Sequence, residues 1–446
     1  MIQFVLRVLF FFFVFPQMVF AFPFTTIKRD SSDKGPVVLI TAGIHGDEPA
    51  AFLAAGMLIN NYTITSGRVW IVPNLNFQSI LHTSRGIAGD MNRKFRGTTK
   101  NDPDYVNLEA IKKLILHPDV DFVYSMHDGS GFYREKHQST LYSPYRWGQC
   151  VVIDQEMLDN SIPHYNLQEL ATKIVANTNT KLIAKNEAYR VRNTKTNEGN
   201  NPMEQSLTWF SVQNGKASLG VEASKNIPLS RGVYYHLLAL ETLLTERGVT
   251  FERNFELTPQ GVHTALYDIE LTLFDSYTLP IRNIRPSLRY MPFPSSEIKF
   301  HSSNPLLYIY KKKNAYVVQY GNTILTTIHP EFIQFDRVLS SLQVLVDGTP
   351  VDVPMGTVFD VQKNFSVPSL NGYRLNIIGY VNSKKKNEFD CLVTRKALLS
   401  QYSIDTTKEL YRIELYKGDA FVGLIYARFP QQEATAIKKT KTATTI

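Results

Sequence analysis

His45 and Glu48 stand three residues apart in the stretch TAGIHGDE (41–48). There an apolar run ends, Gly43 and Gly46 allow a tight backbone, and a helix-like segment begins. At that spacing an imidazole and a carboxylate can converge on one point beyond the carboxyl end of a strand. These two alone leave a zinc ion short of ligands. The best third donor is His127 in YSMHDGS (124–130), which also follows an apolar strand-like run. Two histidines and a glutamate, with an open fourth position for water, make a catalytic zinc set. A lone histidine after a strand is more often structural, so the reading rests on the set. Glu222, in LGVEAS (219–224), interrupts an apolar strand end. A buried carboxylate needs a partner, either water at the metal or a neighbouring cation such as Lys225. Asn92 and Arg93, in GDMNRK (89–94), place a bidentate donor beside an amide, and Arg85 in TSRG (83–86) adds a second cation. As isolated surface groups these mean little; beside a metal they describe an anion hole next to a Lewis acid.

Residues so distant in sequence need a rim that gathers them. Residues 36–250 alternate short apolar runs (36–41, 69–72, 122–126, 217–221) with amphipathic or Ala-rich segments (48–58, 106–116, 167–176, 229–247), Gly248 closing the last. This alternation predicts an α/β domain, a mixed and largely parallel sheet flanked by helices. Beyond 250 the segments are short, aromatic or β-branched, and separated by Asp347-Gly348, Asn371-Gly372 and Lys417-Gly418-Asp419 turns. Tyr411, Ile413 and Leu415 share one face and Arg412 and Glu414 the other, which predicts a half-buried antiparallel strand. About 190 residues of this pattern exceed one small sandwich, so two all-β domains are expected, 251–338 and 339–430, after an α/β domain at 22–250. A basic, disordered tail is expected at 431–446.

The chain has 446 residues, 43% hydrophobic and 20% charged, which excludes wholesale disorder. Its net charge of +8 favours anionic partners but is too diffuse to indicate nucleic acid. Two cysteines, Cys150 and Cys391, exclude a disulfide scaffold and a cysteine-based zinc ribbon. Residues 1–21 read as a signal peptide: Arg7, an apolar run from Val8 to Phe15, and a small-x-small site ending at Ala21. An uncleaved anchor is the other reading of that run. The expectation is an exported, periplasmic protein with no stable membrane insertion after cleavage.

The order H-x-x-E, Asn-Arg, His, Glu over roughly residues 36–250 resembles the zinc carboxypeptidases (funnelins). With two β domains following, one barrel-like and one immunoglobulin-like, the layout looks like the peptidoglycan D,L-carboxypeptidases that set helical cell shape in Helicobacter and Campylobacter relatives. The resemblance implies that His45, Glu48 and His127 hold Zn2+ and that Glu222 acts as general base and then general acid. It further implies that Arg85 steadies the oxyanion and that Asn92 and Arg93 hold the substrate's terminal carboxylate. The implied partner is a peptidoglycan muropeptide with an uncrosslinked tripeptide stem, from which meso-diaminopimelate is released. Members of that group can carry Gln at the first ligand position, where this chain has His45. Trp147 and Thr208 are candidate pocket residues, with Arg134, Arg146, Arg190, Arg192 and the polar loop 193–208. The alternatives are an aspartoacylase or succinylglutamate desuccinylase-like amidohydrolase and a non-catalytic wall-binding protein.

Overall fold

The computed structural model describes residues 23–31, 35–199, 202–381 and 386–430. The expected signal peptide and the expected basic tail lie outside the described residues. Among those described, no helix is long and apolar enough to cross a membrane.

The first domain is built on a seven-stranded sheet. From one edge its strands are Ile27–Asp30, Arg68–Val72, Val37–Thr41, Val120–Gly129, Ala217–Ser224, Cys150–Ile153 and Arg190–Asn193. The four central strands run parallel, while Ile27–Asp30 and the pairing of Cys150–Ile153 with Ala217–Ser224 are antiparallel. Val37–Thr41 (VVLIT) is buried at every position, as expected for a β-branched run covered on both faces. Helices Pro49–Asn61 and Leu229–Glu246 pack on one face, the first almost wholly buried and the second buried along most of its length. The Ala-rich composition of the first allows that close approach.

This layer continues past residue 250. Thr250–Arg253 pairs with Tyr62–Ser66, and helix Pro259–Ala265 packs on Leu229–Glu246. Next come a three-stranded sheet (Glu270–Leu273, Tyr277–Pro280, Phe300–Ser302) and a four-stranded one (Ser287–Phe293, Leu307–Lys312, Ala315–Tyr320, Thr323–Phe332). Their core is continuous with that of the first domain. Asn322 Nδ2 donates to Gly46 O (3.4 Å) and Gln319 Nε2 to Leu81 O (3.1 Å), so this module braces the loops at the sheet's rim.

The last module consists of two four-stranded sheets around a separate apolar core. Its strand Leu410–Lys417 corrects the half-buried expectation, because Arg412 and Glu414 are 5% and 3% exposed. The alternation is real, but the preceding module covers the polar face, and the two charges pair at 2.7 Å. Cys150 and Cys391 are both buried, and neither forms a disulfide among the described residues.

Candidate active site

The rim of the sheet gathers the residues singled out above. Gly43 has φ +71°, and a Cβ there would lie 2.6 Å from Pro73 O; a Cβ on Gly46 would lie 1.9 Å from Ser79 O. Only glycine permits this tight path, which turns His45 and Glu48 to the same side. Glu48 occupies the N-cap position of helix Pro49–Asn61 but makes no capping bond. Asp128 replaces it, its Oδ2 accepting from Ala50 N at 2.7 Å while its Oδ1 lies 2.8 Å from His236 Nε2. Glu48 is thereby free to face the two histidines.

His45 Nδ1 lies 2.8 Å from Glu48 Oε1, and His127 Nδ1 lies 2.9 Å from Glu48 Oε2. All three residues are buried, and a ligand atom from each falls within 4.8 Å of the others. The opposite ring nitrogens are anchored: His45 Nε2 lies 2.8 Å from Asp90 Oδ1, and His127 Nε2 lies 3.1 Å from Ser125 Oγ. Outer partners of this kind fix ring orientation and leave the inner nitrogen as donor. Two imidazoles and one carboxylate, preset around one point, fit a catalytic divalent ion.

The charges answer to this arrangement. Burial opposes a proton on His45, yet Glu48 and Asp90 outweigh it and raise its pKa to about 9. Burial would likewise raise Glu48, but His45 and His127 hold it well below the usual carboxylate range. Burial lowers His127 despite Glu48. Asp90 is also held low: its burial is outweighed by His45 and Arg85.

Glu222 sits opposite His127 in the register of two parallel strands, so both side chains project from the same face of the rim. Burial, then the Glu48 and Asp128 carboxylates, push its pKa far up. It has no hydrogen-bond or ion-pair partner among the described residues. The alternative pairing with Lys225 is not formed, because Lys225 Nζ bonds Asp47 Oδ2 at 2.7 Å. Arg85 donates through Nη1 to Glu48 Oε1 (3.2 Å) and through Nε to Asp90 Oδ2 (3.0 Å), with half of its side chain exposed to the cleft. Asn92 Oδ1 accepts from Leu207 N at 2.9 Å, which leaves its NH2 as a donor, and Arg93 Nη1 donates to Asn92 O.

Trp147 and Thr208 join these groups as walls of a cleft of about 300 Å³, along with Met203 and Ser206 from the polar loop. The four candidate arginines do not line it. Arg134 is spent on the carbonyls of Tyr133, Asn186 and Ala188, Arg146 on Thr140 O, and Arg190 on Tyr189 O. Arg192 packs 3.7 Å from the Trp147 ring centre and supports the wall of the cleft.

Asp90 and Asp128 are the residues that sequence reasoning passed over. Asp90 lies inside the quoted GDMNRK motif, and the need of a ligating histidine for an outer carboxylate is the signal that points to it. No comparable signal marks the Asp128–His236 pair, which meets only in the fold.

A family profile described as "Carboxypeptidase controlling helical cell shape catalytic" matches residues 2–267. Two further profiles match 268–334, "beta-barrel domain of carboxypeptidase M99", and 335–430, "C-terminal domain of metallo-carboxypeptidase". The chain belongs to the M99 carboxypeptidases. It is thus a metallocarboxypeptidase with a catalytic, a β-barrel and a C-terminal domain. Solved structures of the Cell Shape Determinant protein Csd4 from Helicobacter pylori are similar over 91% of this chain and all of theirs. The apo form shares 34% identity with TM-score 0.78, and the tripeptide-bound form 33% with TM-score 0.77. The form bound to mDAP, described as a D,L-carboxypeptidase, shares 34% with TM-score 0.77. A curated relative, N-alpha-acetyl-L-2,4-diaminobutyric acid deacetylase from Halomonas elongata, is 35% identical over 115 residues. That stretch is 24% of this M99 chain and only 32% of the relative.

Proposed function

We propose that the protein is a zinc-dependent D,L-carboxypeptidase of the periplasm. It releases terminal meso-diaminopimelate from uncrosslinked peptidoglycan tripeptide stems, L-Ala-γ-D-Glu-meso-diaminopimelate, and so contributes to cell shape. The observation that carries this reading is the meeting of three preset metal donors with Glu222, a half-buried carboxyl that no cation pairs with among the described residues. The tripeptide- and mDAP-bound Csd4 structures support the choice of substrate.

His45, Glu48 and His127 would hold the ion. When bound, it supplies Lewis acidity at the scissile carbonyl and makes water a nucleophile near neutral pH. Glu222 would take a proton from the attacking water and deliver it to the leaving amine; its pKa, pushed far above the usual carboxylate range, would first have to be drawn down by the charge of the bound ion. Arg85, ion-paired on one side and open to the cleft on the other, steadies the charge that develops on the carbonyl oxygen. Asn92 and Arg93 offer a planar fork and an amide NH2 to the carboxylate at the free end. Trp147, Thr208 and the loop that carries Met203 and Ser206 bound the space for the released residue.

The test is to offer the protein purified tripeptide muropeptides and, separately, N-acyl amino acids, and to weigh the products. Loss of diaminopimelate with an intact dipeptide stem is expected. Deacylation of the second set with no action on the first would overturn the reading in favour of an amidohydrolase.

A further inference from the structure

A cavity of about 1110 Å³, far larger than the active-site cleft, opens between the β-barrel domain and the C-terminal domain. At its mouth stands Tyr290. This residue has φ +54°, although it is bulky and not glycine, and it lies where the register of strand Ser287–Phe293 slips between Arg289 and Met291. A bulge that holds a tyrosine in left-handed backbone is strained, and bulges of this kind re-aim a side chain. Here the ring ends 68% exposed, with a second tyrosine, Tyr402, 47% exposed on the other module.

The bulge is held by the neighbouring domain. Arg412 donates to Tyr290 O at 3.1 Å and also contacts Met291 Sδ, while it pairs with Glu414, whose other oxygen accepts from Tyr416 OH at 2.8 Å. Removing two charges from water at a domain junction is costly, and their mutual attraction with the bonds to Tyr290 O and Tyr416 OH offsets part of that cost while fixing the geometry. Arg374 lies 4.4 Å over the Tyr416 ring and bonds Asn376 Oδ1, which leaves much of its fork facing the cavity. The walls cannot slide, since Ile284 and Asp405 form a β-bridge and Arg285 donates to Ser400 O and Ser403 Oγ.

Four arginines and four carboxylates line the cavity, so it has no net preference for an anion. What it offers is guanidinium donors and carboxylate acceptors together, with two exposed tyrosines, Tyr290 and Tyr402, in its lining. That combination suits a neutral chain carrying many hydroxyls and amides, whose C–H faces lie on the rings. The volume slightly exceeds the roughly 300–1,000 Å³ of small-molecule sites, which leaves room for several sugar rings. We propose that the junction between the two β domains is a second binding site, separate from catalysis, for an N-acetylated amino-sugar chain. The amino sugar, as against any neutral polyol, rests on the reading that the substrate stems hang from a wall glycan; the cavity itself does not.

The probe is peptide-free N-acetylglucosamine pentamer, titrated calorimetrically into the full-length protein. Saturable binding is expected, weakened at least about tenfold by Tyr290→Gly and by Arg374→Ala. Tyr290→Gly removes the ring and relieves the positive φ, so its melting temperature should not fall, and hydrolysis of soluble tripeptide should be unchanged in both variants. No saturation up to ~10 mM, undiminished binding by both variants, or capture of a bare stem peptide here in place of the sugar would each overturn the proposal. Failure to hydrolyse tripeptide alongside intact sugar binding would count against the proposed reaction and leave this site standing.

Discussion

In the proposed reaction Glu222 has to move a proton from a half-buried position, and its surroundings bear on that task. Without a cation its proton is held firmly by burial and by Glu48 and Asp128. His45, Glu48 and His127 would hold a divalent ion whose positive charge would lower the Glu222 pKa and let the carboxylate act as base. Glu222→Gln should keep the metal, read by elemental analysis, and lose about 10²–10⁴ in kcat. His45 adds a pH signature. Its proton, held up to about pH 9 by Glu48 and Asp90, occupies the nitrogen that a metal needs. Apparent metal affinity of the metal-free protein should therefore rise with pH and level off near pH 9, as metal-competition titrations would show. The same raised pKa stabilises the metal-free fold fully below about pH 6.5, and that contribution is lost as pH rises through about 9. Asp90→Asn removes one of the two carboxylates, so the plateau should begin at lower pH and affinity there should fall by about 10–100-fold. That His45, Glu48 and His127 would meet was legible in the sequence because motif and spacing expose them. Asp90 was less so, since an Asp beside an Asn-Arg pair reads as an ordinary turn residue until the fold brings His45 to it.

At the scale of elements, strand and helix positions followed from periodicity, most to within a few residues, because buried parallel strands are short apolar runs. The sequence does not reveal what covers a polar face. Arg412 and Glu414 alternate with Tyr411, Ile413 and Leu415 as in any half-exposed strand, and only the neighbouring domain buries them. Arg134 and its companions failed as cleft residues for a related reason: backbone carbonyls of nearby loops consume them, and these leave no trace in composition. The turn that carries His45 is the most constrained element. Gly46→Ala drives a Cβ into Ser79 O and should lower stability by about 1–3 kcal/mol, read as a fall in Tm, together with weaker metal retention.

Across the whole molecule, the β-barrel domain ties the catalytic rim to the C-terminal module, through Asn322 and Gln319 on one side and the bond from Arg412, itself paired with Glu414, to Tyr290 O on the other. Removing one member of that pair, as in Arg412→Met, strands a buried charge and should cost about 3–5 kcal/mol in chemical denaturation, whereas Arg412→Met with Glu414→Leu should recover most of it. The domain order was readable from the change in pattern near residue 250. The first layer nevertheless runs on through Thr250–Arg253 and helix Pro259–Ala265, because an edge strand and a short helix carry little pattern of their own. All of this architecture serves to hold three donors and one free carboxylate in place. The direct test is mass spectrometry of a purified tripeptide muropeptide after incubation with chelator-stripped protein, with and without one equivalent of zinc. The account predicts free diaminopimelate and a dipeptide stem only when zinc is restored; equal release by the stripped protein, or none by the restored one, would contradict it.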